Sequence, residues 1–194
     1  MSHAIYQTSA VILKTKNMRE SNKLLVLYTE KFGLIYVSTQ SVRELKSKMR
    51  FHTNTLSLVE VDLVRGRDIW KLTGIHEQYS SLVFAGTRWY SLVHRLAVLL
   101  LRLCSGEEPH DEVWQDLKKI YTYLQEQHAL SKLDYEAIEI IFVTRLLYYL
   151  GYWEGEEEIL SSKDPFSKDI YPEIFKNKNY FIQRINEGIQ SSQL

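Results

Sequence analysis
Between Tyr6 and Tyr79 the apolar residues fall in short runs: Ala10-Val11-Ile12-Leu13, Leu24-Leu25-Val26-Leu27-Tyr28, Leu34-Ile35-Tyr36-Val37 and Val59-Glu60-Val61-Asp62-Leu63. Runs of this length, rich in branched and aromatic residues and tending to a period of two, predict four strands. Ile69 to Tyr79 predicts a fifth, joined to the fourth by Arg65-Gly66-Arg67-Asp68, whose glycine suits a tight hairpin. The apolar phase slips by one residue between Leu58 and Val59, as it does at a β-bulge. Five short strands in about 75 residues, with one long connection after the third, match a five-stranded Greek-key barrel of the OB type. In that connection, Ser41 to Asn54, Ser41 and Glu44 have capping-box spacing. Val42, Leu45 and Met49 recur at i, i+3 and i+7, and Arg43, Lys46 and Arg50 repeat the spacing one position along. If helical, the connection sets an apolar stripe beside a cationic one; an extended loop is the alternative.

After Ser80 the period becomes helical. Trp89, Leu92, Val93, Leu96, Leu99, Leu100 and Leu103 share a broad face of a helix that Gly106 and Pro109 end. A second helix is predicted from Asp111 to His128, with Val113, Leu117, Ile120 and Leu124 inward. A third begins at the Ser131/Asp134 capping box, buries Tyr135, Ile138, Phe142, Leu146 and Tyr149, and stops at Gly151. Glu154 to Lys168 is polar, Pro165 and Pro172 punctuate the tail, and a short helix is expected near Tyr180 to Ile189. The class is therefore α+β with two segregated domains: an N-terminal five-stranded OB-fold barrel over residues 1–80, then a C-terminal helical domain over 81–194.

Composition excludes several alternatives. With 45% apolar and 25% charged residues, three prolines and eight glycines, the chain is neither low-complexity nor collagenous. Its one cysteine, Cys104, excludes an intramolecular disulfide and a multi-thiolate zinc site, and fits a reducing compartment. The longest apolar run, Leu96 to Leu101, is flanked by Arg95 and Arg102 and is far shorter than a membrane span. The start, Met1-Ser2-His3-Ala4, lacks the features of a secretory signal, so a cytoplasmic protein with no membrane partner is expected. The zero net charge hides a segregation: residues 1–80 carry 12 Lys and Arg against 7 Asp and Glu, and the remainder carries 12 against 17. A basic module suits a polyanion and an acidic one a protein partner.

Catalytic constellations are not evident. Gly151-Tyr152-Trp153-Glu154-Gly155 follows a helix instead of opening one, so it reads as a C-cap and not as a phosphate cradle. His110, Asp111 and Glu112 are adjacent, so on a helix they point about 100° apart and do not converge on one metal. Cys104 behind an apolar run reads as a buried hydrophobe, and His94 has no second ligand at helical spacing. The expectation is a non-enzyme without cofactors. The basic residues of the first domain are more informative: Lys14, Lys16, Arg19 and Lys23 around the first turn, Arg43, Lys46, Lys48 and Arg50 in the long connection, and Arg65, Arg67 and Lys71 around the hairpin. Any one group is an ordinary solvated face. Three groups on loops of one small barrel can border one groove and follow a phosphate backbone, with Tyr6, Tyr28, Tyr36, Phe51 and Trp70 as candidate stacking residues.

Ala10-Val-Ile-Leu-Lys-Thr-Lys16, Glu20-Ser-Asn-Lys-Leu-Leu25 and Thr29-Glu-Lys-Phe-Gly-Leu-Ile35 resemble the opening of the RecO family of recombination mediators. The likeness continues through Ser47-Lys-Met-Arg50, Leu56-Ser-Leu-Val-Glu-Val61 and Arg65-Gly-Arg-Asp-Ile-Trp-Lys-Leu72, and more loosely through Tyr90 to Leu103 and Leu146 to Tyr152. The resemblance implies an OB-fold followed by a helical domain. It implies binding of single- and double-stranded DNA through the basic positions above, annealing of complementary strands, contact with the acidic C-terminal tail of single-strand-binding protein, and help in loading RecA together with a RecR-like protein. It also implies a bacterial, nucleoid-associated setting. Many members carry a four-cysteine zinc insertion after the helix matching Leu146 to Gly151; with Cys104 as the only cysteine, zinc is not expected here. The competing reading is an adaptor whose barrel does not bind DNA and whose acidic helical half recruits proteins; a nucleic-acid enzyme ranks last.

Overall fold
The computed structural model describes residues 4–18, 22–40, 48–126, 130–155 and 158–192. The chain forms two compact units, Met1–Pro109 and His110–Leu194. The first holds β1 (Ile5–Met18), β2 (Asn22–Thr29), β3 (Gly33–Thr39), β4 (Leu58–Val64), β5 (Trp70–Tyr79) and α1 (Arg88–Leu103).

The five strands close into a barrel in the order β1-β2-β3-β5-β4, the OB topology. The first half of β1 pairs antiparallel with β4 (Ile5 with Val64, Val11 with Leu58) and its second half with β2 (Lys14 with Val26, Met18 with Asn22). Ala10 and Val11 pair with both neighbours, and beyond them the register with β2 shifts between Ile12 and Lys14, so that Leu13 is the extra residue of a bulge that bends the strand. A second shift lies between Leu58 and Val59, where the apolar phase slips in the sequence. Closure is a short parallel pairing of β3 with β5, Val37 with Trp70 and Ser38 with Lys71. Alternate residues fill the interior: Ala10 and Ile12, Leu25 and Leu27, Ile35 and Val37, Val59, Val61 and Leu63, Trp70 and Leu72. The hairpin between β4 and β5 needs glycine at Gly66 for space, since a Cβ there falls 2.1 Å from the carbonyl oxygen of Ile69.

The long connection after β3 is described from Lys48 onward, where Lys48–His52 forms a 3-10 turn. Of the helix expected over Ser41 to Asn54, residues 41–47, with the Ser41/Glu44 capping box, lie outside the described residues. The connection rejoins β1 through paired backbone bonds, Leu56 N–H to Ile12 O at 2.7 Å and Ile12 N–H to Ser57 O at 3.1 Å.

The period change at Ser80 marks a change of element, whereas the compact units divide at Pro109. Trp89 of α1 packs on Tyr79 and Phe84, with ring centroids 5.6 and 4.7 Å apart, which ties the helix to the end of β5. Helical period reports what an element is and not which core it joins.

The second unit comprises α2 (Asp111–Glu126), α3 (Lys132–Tyr149), α4 (Glu158–Ser161), α5 (Tyr171–Lys176) and α6 (Lys178–Ser191). α3 starts at the Ser131/Asp134 capping box, in which Ser131 Oγ accepts from Asp134 N–H and Asp134 Oδ2 accepts from Ser131 N–H at 2.7 Å. It is the central helix, buried on nearly all sides from Ala137 to Leu147. Arg145 lies within it: Nε donates to Asp116 Oδ2 on α2 at 2.5 Å, Nη2 to Oδ1 at 3.2 Å, and Nη1 to the carbonyls of Ile159 and Leu160 on α4. Burial pushes the Asp116 carboxyl up and the Arg145 guanidinium pulls it back. Pro172 sits in the first turn of α5, where its fixed φ starts a helix instead of ending one, and α6 begins at Lys178.

Candidate nucleic-acid interface
Register and alternation decide which side chains share the outer face of the barrel. Lys16 on β1 pairs with Leu24 on β2, Leu24 with Ser38 on β3, and Ser38 with Lys71 on β5. These four lie in one row across four strands, on the side opposite Leu25, Val37 and Trp70, which point inward. At about 4.8 Å per strand, the two lysines flank a span of about 14 Å. The next row on the same face holds Lys14, Val26 and Tyr36. Lys14, Lys16 and Lys71 are exposed, and the Tyr36 ring is 50% exposed between them. Two cationic edges bracketing an apolar strip with one open aromatic ring offer phosphates an attractive border and a base a stacking platform.

The remaining candidates are placed differently. Lys23, at the start of β2, donates to Thr53 Oγ1 at 3.0 Å and so ties the long connection to the barrel. Arg65 and Arg67 are exposed at the hairpin. Arg65 lies over the Trp70 ring, 4.7 Å from its centroid, and pairs with Glu107. Lys48 and Arg50 are on the 3-10 turn. Arg19, Arg43 and Lys46 lie outside the described residues. Among the aromatics, Tyr28 and Trp70 are buried, which removes their faces from stacking, while Tyr6, Tyr36 and Phe51 are exposed.

The period-based division at Ser80 leaves α1 outside the basic module, yet α1 contains Arg88, Arg95 and Arg102 and no acidic residue. At a spacing of seven residues the three arginines form one exposed stripe, about a third of a turn round the helix from the centre of the face that buries Trp89, Leu92, Val93, Leu96 and Leu100. Counted by compact unit, the segregation of charge is sharper: 15 basic against 9 acidic residues in the first unit and 9 against 15 in the second.

Residues 1–78 match the family model described as Recombination protein O N terminal. The chain is 27% identical over 151 residues to the DNA repair protein RecO of Clostridium novyi, an alignment covering 77% of this chain and 57% of that one. Residues 1–78 are thus RecO-like in sequence. The RecO of Prosthecochloris aestuarii is 25% identical over 164 residues, covering 83% of this chain and 61% of the relative. The RecO of Dehalococcoides mccartyi is 38% identical over 69 residues, covering 36% and 27%. The chain thus spans about three fifths or less of the length of these relatives. The part matched by the RecO model contains the lysine-bordered outer face, while the α1 arginines follow it in sequence. Among the described residues no helix is long and apolar enough to cross a membrane.

Proposed function
We propose that this chain is a DNA repair and recombination mediator that acts by binding and not by catalysis. The observation that carries the reading is the outer barrel face, where exposed Lys14, Lys16 and Lys71 border the open ring of Tyr36. Ammonium groups attract phosphates without reading base edges, so binding is non-specific in sequence and accepts both single and double strands. Tyr36 adds base stacking, worth about 1–3 kcal/mol per base. Neutralising backbone charge on one strand lowers its repulsion of a second, which is the physical basis of annealing. The acidic helical unit serves protein partners: a RecR-like protein and the tail of single-strand-binding protein, in the loading of RecA at the bacterial nucleoid.

The test is fluorescence anisotropy of labelled single-stranded DNA over a salt series. Wild-type protein is compared with Lys14→Glu/Lys16→Glu/Lys71→Glu and with Arg43→Glu/Lys46→Glu/Arg50→Glu. With about five phosphate contacts, the log–log salt slope is near −3.5. Binding that is weakened, with a shallower salt slope, in the lysine variant supports the mediator and its surface. A flat salt dependence, or no binding at low salt, overturns it in favour of the adaptor.

A further inference from the structure
The segment that leaves α1 runs back over the barrel and places a carboxylate on the aromatic corner that Arg65 caps. Cys104 is buried beside Tyr28 of β2. Leu34 N–H donates to Gly106 O at 3.2 Å. The backbone of Glu108 crosses Gly33 so closely that a Cβ there falls 2.1 Å from the Glu108 carbonyl oxygen, and Gly33 has a φ of +61°. These contacts hold Glu107 at Trp70. One carboxylate oxygen accepts from the Trp70 indole N–H at 3.1 Å and the other pairs with Arg65 Nη1. The ring beneath is held edge-on by Tyr6 at 5.5 Å and packed by Phe32 at 4.8 Å.

A carboxylate whose two oxygens divide between a guanidinium and an indole N–H occupies the position that two non-bridging phosphate oxygens would take. Tyr6, 41% exposed beside it, is placed to meet a base. Trp70, the first residue of β5, points into the barrel and Lys71 after it points to the outer face, so this corner lies at the end of the strand that carries the edge of the lysine-bordered face. We propose that the Arg65–Trp70 corner is a phosphate subsite at the end of the nucleic-acid path, and that Glu107 is its resident competitor, displaced when a phosphodiester enters. The proposal rests on the DNA-binding reading above. Magnitudes permit the exchange: Arg65 and Glu107 are 56% and 43% exposed, and exposed ion pairs are weakly held. The strap itself is anchored by the Leu34–Gly106 backbone bond, the close packing of Glu108 on Gly33 and buried Cys104, so the carboxylate can swing away without unfolding the segment.

The experiment measures binding of a labelled oligothymidylate over a salt series for wild type, Glu107→Gln, Glu108→Gln, Arg65→Gln and Arg65→Gln/Glu107→Gln. Glu108→Gln makes the same charge change one residue away, outside the Arg65 pair. The expected result for Glu107→Gln is about two- to fivefold tighter binding and a slope steeper by about 0.7, one added phosphate contact. Glu108→Gln has a smaller effect, and Glu107→Gln has none in the Arg65→Gln background. Equal effects of the two glutamate substitutions, or none from Glu107→Gln in a wild type that binds DNA, overturn the subsite alone. Absence of DNA binding by wild type and every variant overturns the subsite and the mediator reading together.

Discussion

Arg145 of the helical unit and the lysines of the barrel unit place positive charge in opposite environments. The Arg145 and Asp116 side chains are 6% and 3% exposed, and the guanidinium is satisfied by one carboxylate and the carbonyls of α4. Its charge is spent on holding α2, α3 and α4 together. Lys14, Lys16 and Lys71 stand in solvent, where they do little for folding and are available to an incoming polyanion. The chain is electrically neutral as a whole, yet Arg145 is an internal fastener of one unit while Lys14, Lys16 and Lys71 are displayed by the other.

The largest effect expected from this difference is in the helical unit. Arg145→Ala leaves Asp116 buried and uncompensated, and should cost about 3–5 kcal/mol in urea unfolding. Replacing both partners, as in Arg145→Met/Asp116→Leu, should recover much of that loss, because an apolar pair avoids desolvating two charges. If Arg145→Ala unfolds like wild type, the contrast between fastening and displayed cations fails at its strongest point.

The barrel unit also buries a titratable group, but keeps it neutral instead of pairing it. Burial pushes the Cys104 thiol up to about 11 from its usual range near 9. The folded thiol therefore holds its proton at a pH where the unfolded chain has released it. Stability from this source is whole below about pH 9 and falls as pH rises towards 11, by about 2–3 kcal/mol across the window. The same shift makes the thiolate about a hundredfold scarcer at pH 8 than in the unfolded chain. An aromatic disulfide reagent should accordingly modify Cys104 slowly in native protein and rapidly in denaturant. Rapid native labelling, or stability flat from pH 9 to 11, counts against a sealed contact between Cys104 and β2.

For the displayed lysines the expected changes are reversed. Lys14→Glu/Lys16→Glu/Lys71→Glu should shift stability by no more than about 0.5 kcal/mol per site, while the single-strand salt slope becomes shallower by about 2. A large loss of stability with DNA binding retained would show these lysines to be structural, like Arg145.

Much of this was legible in the sequence, and the remainder was hidden for definite physical reasons. The strands, the bulge at Leu58/Val59, the glycine at Gly66 and the Ser131/Asp134 capping box all leave local signals, because each is a matter of period or of turn chemistry. The bulge at Leu13 leaves none: it sits in the unbroken apolar run Ala10 to Leu13, which has no phase to slip. The row Lys16, Leu24, Ser38, Lys71 depends on non-local register, and the Arg145–Asp116 pair spans 29 residues with no periodic trace. The basic candidates were found as a set, but a sequence does not separate Lys23, engaged with Thr53, from Lys16, which faces solvent. Nor does it place Glu107 on Arg65.

The α1 arginines escape a division of charge made by period instead of by core, and they supply the finest test of the comparison. Arg88, Arg95 and Arg102 rise along α1 at about 10 Å intervals, about a third of a turn round from the centre of its buried face. A strand lying on the lysine-bordered face would feel them mainly through the field of the whole unit, which is screened beyond about 10 Å at 0.1 M salt but reaches about 30 Å at 0.01 M. Arg88→Gln/Arg95→Gln/Arg102→Gln should therefore weaken DNA binding by about two- to threefold at 10 mM salt and leave it unchanged at 150 mM. A loss that persists at 150 mM would mean direct contact and extend the interface over α1. No loss at either salt would restrict the working cations of the barrel unit to those on the strands and hairpin.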